Sequence, residues 1–167
     1  MNQFIHFARK AALGAAAGLL LTGCFENDFL TTYEGVDQVG FAQVSGRYSA
    51  AVAETAGTVN LTVELISSSG TLPNDIVVGV SVDASGTTAV AGTHYNFPDG
   101  AQVTIPAGEV TGTFPIQVLD GPLVGAVGTT PAQRVTLDLE LTGTSDGTVV
   151  GAENWDDFTL TIVGIGT

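Results

Sequence analysis

In Gln133-Arg134-Val135-Thr136-Leu137-Asp138-Leu139-Glu140-Leu141-Thr142, polar and apolar residues alternate without a break from Arg134 onward. In an extended chain successive side chains point to opposite faces, whereas a helix would spread this pattern around its axis. Val135, Leu137, Leu139 and Leu141 therefore share an inward face, and Arg134, Thr136, Asp138 and Glu140 an outward one. The stretch predicts a half-buried strand.

The same period runs through the chain on both sides. Asp157 to Val163 sets Phe158, Leu160 and Ile162 inward, Ile76 to Val82 does so with Ile76, Val78, Val80 and Val82, and Thr58 to Ile66 with Val59, Leu61, Val63 and Leu65. Gln38 to Val44 reads as a first strand that continues past a Ser45-Gly46 break into Tyr48 to Val52. Gln102 to Ile105 and Thr111 to Leu119 flank the turn Pro106-Ala107-Gly108-Glu109 and are expected to pair as a hairpin, with Phe114, Ile116 and Val118 on the core face. Pro115 lacks a ladder donor and so belongs at an edge or with its nitrogen facing outward. No amphipathic helix and no internal repeat is evident. The reading is all-β: a single Ig-like antiparallel β-sandwich of about seven to eight strands over residues 37–167.

Ahead of it lies a different composition. Arg9 and Lys10 precede an uncharged Ala/Leu-rich run, Ala11 to Leu21, and then Leu21-Thr22-Gly23-Cys24. The run suits a secretory leader, while crossing ~30 Å of hydrocarbon takes about 20 apolar residues. Leu-Thr-Gly-Cys resembles the lipobox of bacterial lipoproteins. That resemblance implies cleavage between Gly23 and Cys24, acylation of Cys24 (a diacylglycerol and a further fatty chain such as palmitate) and a cell-envelope location. The protein would then sit at the outer membrane, periplasmic or surface-exposed. Several acyl chains on one residue make a durable anchor, since each buried methylene contributes ~0.8 kcal/mol. Residues 1–23 read as the leader and 24–36 as a flexible acidic tether. Glu26 and Asp28 there are similar to the acidic export signals of Bacteroidota surface lipoproteins.

All seventeen carboxylates follow Cys24, against only Arg47 and Arg134, a net charge of −15 with histidine neutral. Such a chain repels phosphate backbones, so nucleic acid is not an expected partner. It also repels anionic head groups, so the membrane contact is expected through the acyl chains alone. With the one cysteine acylated, no thiol remains for a disulfide or a zinc site.

Ala89-Val90-Ala91-Gly92-Thr93-His94-Tyr95, Val103-Thr104-Ile105-Pro106-Ala107-Gly108-Glu109 and Ile116-Gln117-Val118-Leu119-Asp120 resemble Calx-β domains and related sandwich domains of Bacteroidota lipoproteins. Val52 to Gly57 fits the same pattern. Gly92 and Gly108 suit tight corners forbidden to other residues, and Tyr95 can pack its ring while its hydroxyl bonds to backbone. Some Calx-β domains bind calcium at one end of the sandwich through an early glutamate and acidic clusters. Carried over position by position, the glutamate is Glu54 and the first cluster keeps Asp120 alone, with Gly121 and Pro122 following. A loop acid falls near Gly86, His94 replaces an aspartate, and Gly164-Ile165-Gly166 replaces the last cluster. Calcium takes six to eight oxygens, so the resemblance implies at most a weak calcium site at Glu54 and Asp120, and no cofactor is expected.

Chemistry finds little purchase. His94 is the one histidine after Cys24, and no nucleophile elbow, metalloprotease helix or phosphate-binding glycine motif occurs. The chain is expected to be no enzyme but a structural or interaction module with a protein or glycan partner at the cell surface. The alternative is a glycan- or ligand-binding accessory protein of a nutrient-uptake system. It would centre on Trp155 with Asn154 and Asp156, an aromatic ring among amides and carboxylates. The plainer expectation is that Trp155 caps the core.

Overall fold

A computed structural model describes residues 35–121, 123–128, 130–151 and 155–165. The leader, Cys24 and the tether up to residue 34 lie outside the described residues. The strands are β1 (Gln38–Phe41), β2 (Ser49–Ala53), β3 (Thr58–Ile66), β4 (Ile76–Val82), β5 (Tyr95–Asn96), β6 (Gln102–Ile105), β7 (Thr111–Val118), β8 (Arg134–Thr144), β9 (Val149–Val150) and β10 (Asp157–Val163). They form two five-stranded sheets, ordered β5-β7-β3-β1-β9 and β2-β10-β8-β4-β6. Two strands are only two residues long, so eight longer ones carry the sandwich. Among the described residues no helix is long and apolar enough to cross a membrane.

The inward faces are those the alternation marks. Leu137, Leu139 and Leu141 of β8 meet Leu160 and Phe158 of β10, and across the sandwich Leu61, Val63, Phe114, Ile116, Val39 and Phe41, all buried. Each such side chain contributes roughly 1.5–3 kcal/mol on leaving water. Phe41 and Phe158 join the two sheets with ring centroids 5.6 Å apart, and Phe97 lies between Tyr95 at 5.1 Å and Phe114 at 5.0 Å. Burial pushes the Tyr95 hydroxyl up from its ordinary pKa. The ring packs as expected, but the hydroxyl has no backbone partner among the described residues.

The pairing departs from the sequence reading in three places. β6 and β7 form no hairpin: β6 pairs with β4 and β7 with β3, so the Pro106–Glu109 turn carries the chain from one sheet to the other. That crossover is fastened by the Leu72–Asp75 loop, which accepts the Gly108 N–H at Leu72 O (2.9 Å) and the Ala107 N–H at Asp75 Oδ1 (2.8 Å). It also needs Gly112, where a Cβ would lie 2.5 Å from the Thr104 carbonyl of the opposite sheet.

Secondly, Ser45-Gly46 does not interrupt one strand but separates two, β1 in the first sheet and β2 in the second. Both residues have positive φ (52° and 77°), as a two-residue turn of primed type requires. Thirdly, the sandwich is not wholly antiparallel, since β2 runs parallel to β10 and β9 parallel to β1.

Pro115 behaves as its chemistry demands. Val118 donates to Gly57 on the β3 side and Leu119 to His94 on the β5 side, so by alternation the Pro115 nitrogen faces β5. There β5 reaches only Gln117 and Val118, and no ladder bond is lost.

Candidate functional site

At one end of the sandwich β2 runs into a single 3-10 turn, Glu54–Ala56, closed by Gly57 at φ 69°. Glu54 is 4% exposed, the one buried charged residue among the described residues. Its Oε2 accepts the Leu123 N–H at 3.0 Å and its Oε1 the Ile165 N–H at 3.2 Å. One carboxylate thus ties the exit of β2 to the loop after β7 and to the chain leaving β10. Gln133 reinforces the same end. Its side chain accepts the Val124 N–H at 2.9 Å and its carbonyl the Gly164 N–H at 2.9 Å.

Asp120 is exposed on the rim of the cleft that Glu54 floors, about 370 Å³ in volume, with Leu123, Val124, Val127 and Ile165 as its apolar walls. The structure therefore brings the two carried-over carboxylates into one cleft. Their donor set does not fit calcium. Both Glu54 oxygens already hold a backbone N–H, Asp120 stands alone, and no cluster of three or more metal-ligating side chains occurs among the described residues. Two carboxylates supply at most four of the six to eight oxygens required.

Trp155 is 38% exposed. The backbone beneath it is docked closely against β1. The Phe41 N–H donates to Trp155 O at 2.7 Å, and Gly40 and Gly151 leave room where added Cβ atoms would come within 3.1 and 2.9 Å of Trp155 Cβ. This docking holds the main chain against β1. Asp156 is half-buried. Its carbonyl accepts the Leu141 N–H at 2.8 Å, while its Oδ1 is buried with no hydrogen-bond partner among the described residues. Asn154 lies outside the described residues.

A second acidic place escaped the sequence reading. Asp83, Asp138 and Asp157 line a shallow cleft of about 180 Å³ on the outer face of the second sheet. Glu140 stands directly opposite Asp157 in the β8–β10 ladder. The period-two pattern showed that Asp138 and Glu140 face outward, but not which strands flank them. Asp138 Oδ1 is buried without a partner among the described residues, and a Cβ on Gly86 would collide with its Oδ2. The Ser85 N–H and hydroxyl hold the Asp83 carboxyl below its ordinary pKa.

His94 spends its Nδ1 accepting the Val90 N–H at 2.9 Å, closing the corner that Gly92 turns at φ 76°.

No protein-family model and no curated protein matches the chain. Solved structures do. The apo-form Calx CBD1 domain is similar with a TM-score of 0.57 and 18% identity, covering 78% of this chain and 98% of that one. The calcium binding domain CBD12 of CALX1.1 gives 0.55 and 20%, covering 75% of this chain and 45% of that one. A protein of unknown function from Bacteroides ovatus gives 0.52 and 12%, over 77% of this chain and 52% of that one. At these identities the likeness establishes the fold: an Ig-like β-sandwich of the Calx-β kind.

Proposed function

We propose that this chain is a lipid-anchored protein of the cell envelope whose β-sandwich acts by holding a partner, not by catalysis. The observation that carries the anchor is Leu21-Thr22-Gly23-Cys24 at the end of an uncharged run behind Arg9 and Lys10. The Calx-β-like fold of the body and its net charge of −15 after the leader support a module that projects from a membrane without adhering to it. In the native host, mass spectrometry should find acylated Cys24 as the new N-terminus, and Cys24→Ala should move the protein from the membrane to the soluble fraction. An unmodified thiol behind an intact leader removes the proposal.

A second reading is favoured by one observation, the 38% exposure of Trp155. Under it the ring is a stacking platform for a sugar, with the Asp156 carboxylate next in sequence. Acrylamide should quench the Trp155 fluorescence, and an oligosaccharide should shift it. An indole whose emission no sugar alters rejects this reading and leaves the first in place.

A further inference from the structure

The four sheet edges are unequal. β5 and β9 offer two residues each, β6 four beside its crossover to β7, and β2 five. The parallel ladder decides which groups of β2 are free. Thr159 donates to Tyr48 O at 3.1 Å, so Tyr48, Ala50 and Val52 bond toward β10, while Ser49, Ala51 and Ala53 turn N–H and C=O away from the sheet. Natural edges are defended by lysine, proline, bulges or extreme shortness. Ser49-Ala50-Ala51-Val52-Ala53 has none of these.

A groove of about 580 Å³ follows this edge, lined by Val44, Ser45, Arg47, Ser49, Ala51 and Thr161. The Val44–Arg47 turn stands at its head, closed by two backbone hydrogen bonds of 2.8 and 3.1 Å. Val44 is 42% exposed there, and the Arg47 guanidinium makes no ion pair with any described residue.

We infer that the open edge of β2 accepts an extended segment of another protein as a sixth strand of the sheet, with a carboxylate of that segment on Arg47. The inference rests on the interaction-module reading above. Main-chain groups left free at alternate residues are satisfied by an extended main chain and by little else. The small side chains of Ser49 and Ala51 leave room for it. Arg47 is a cation on an otherwise acidic body, so it selects an anionic side chain through a charge-assisted hydrogen bond. A second copy of this chain fits poorly. Symmetric pairing about Ala51 would set Arg47 opposite Thr55 and press together two strongly negative bodies.

The probe is an end-capped peptide of alternating threonine and valine carrying one glutamate, compared with its lysine counterpart by amide NMR. The glutamate peptide should shift the Ser49, Ala51 and Ala53 resonances, slow their hydrogen exchange, and bind at least tenfold more tightly than the lysine peptide. Ala51→Pro removes an outward N–H while sparing the bonds to β10; it should abolish binding with the circular dichroism unchanged. Arg47→Gln should erase the preference for glutamate.

Unmoved β2 amides at millimolar peptide, equal binding of both peptides, or dimerisation of the chain through β2 overturns the inference. Should Ala51→Pro fail to fold, hydrogen exchange at the three amides of the parent protein decides alone. In cells, a cross-linked partner retained by Ala51→Pro would sink the edge and leave the module reading standing. Absence of any partner would sink the module reading itself.

Discussion

Glu54 is where this sandwich differs most from a simple stack of alternating strands. A carboxylate excluded from water is costly unless hydrogen-bonded, and here both oxygens are used by main-chain donors from opposite sides of the domain end. Hydrogen bonds to a charged group contribute about 1.5–3 kcal/mol each, and orphaned N–H groups add their own penalty. Glu54→Ala should therefore lower the unfolding free energy by about 2–4 kcal/mol in urea titrations. Glu54→Gln, which keeps one acceptor and turns an amino group toward the other donor, should cost about half of that. A Glu54→Ala protein within about 0.5 kcal/mol of the parent would show that the clasp contributes nothing, since changes of that size are typical of surface positions.

Among elements, the outward row of the second sheet holds the clearest tension. Glu140 faces Asp157 directly across the ladder, with Asp138 and Asp83 close by. Like charges directly opposite destabilise a strand pair by a few tenths to about 1 kcal/mol. Glu140→Lys should stabilise the domain by about that much, readable as a raised urea midpoint with unchanged slope; a lowered midpoint would mean that the acidic row is satisfied as it stands.

Acid acts on turns instead. Backbone and hydroxyl donors of Ser85 depress the Asp83 carboxyl, and the Thr148 N–H chiefly depresses Asp146. A carboxyl depressed by folding stabilises above its unfolded pKa, near 3.8, and loses that contribution as pH falls through the folded value. Stability should decline as pH falls below about 4, and less steeply in an Asp83→Asn, Asp146→Asn protein.

The elements also show what the sequence could convey. Alternation named β3, β4, β7, β8 and β10 with their inward faces, because period two is a property of one strand and its burial. Pairing is a property of two. Nothing local says that Gly112 lets β7 pass under β6 into the other sheet, or that Ser45-Gly46 changes sheets. For the same reason Glu54 and Asp120 could be drawn to one end by resemblance, while the Leu123 and Ile165 donors could not, being backbone groups without a side-chain signature. How Trp155 is seated was equally hidden, because the glycines at 40 and 151 that admit its main chain are legible only once β1 lies beside them.

At the scale of the whole molecule, charge is the dominant long-range force, and it separates two claims that a melting curve would otherwise confuse. Self-repulsion among seventeen carboxylates relaxes with any salt, since the Debye length shrinks from about 30 Å at 0.01 M to about 3 Å at 1 M. Bonds such as those of Glu54 lie out of the solvent and are screened far less. Raising sodium chloride over that range should therefore raise the melting temperature, and Glu140→Lys should flatten the rise.

Calcium and magnesium chloride at equal ionic strength should do the same as each other. A specific calcium site would break that equality, because a ligand held only by the folded state adds about 2.7 kcal/mol at a hundredfold excess over its Kd. That is several degrees for a domain of this size. With both Glu54 oxygens engaged and Asp120 without a companion, the two chlorides should coincide. A calcium shift that Asp120→Asn abolishes would instead show that the domain end can open its clasp to admit the ion.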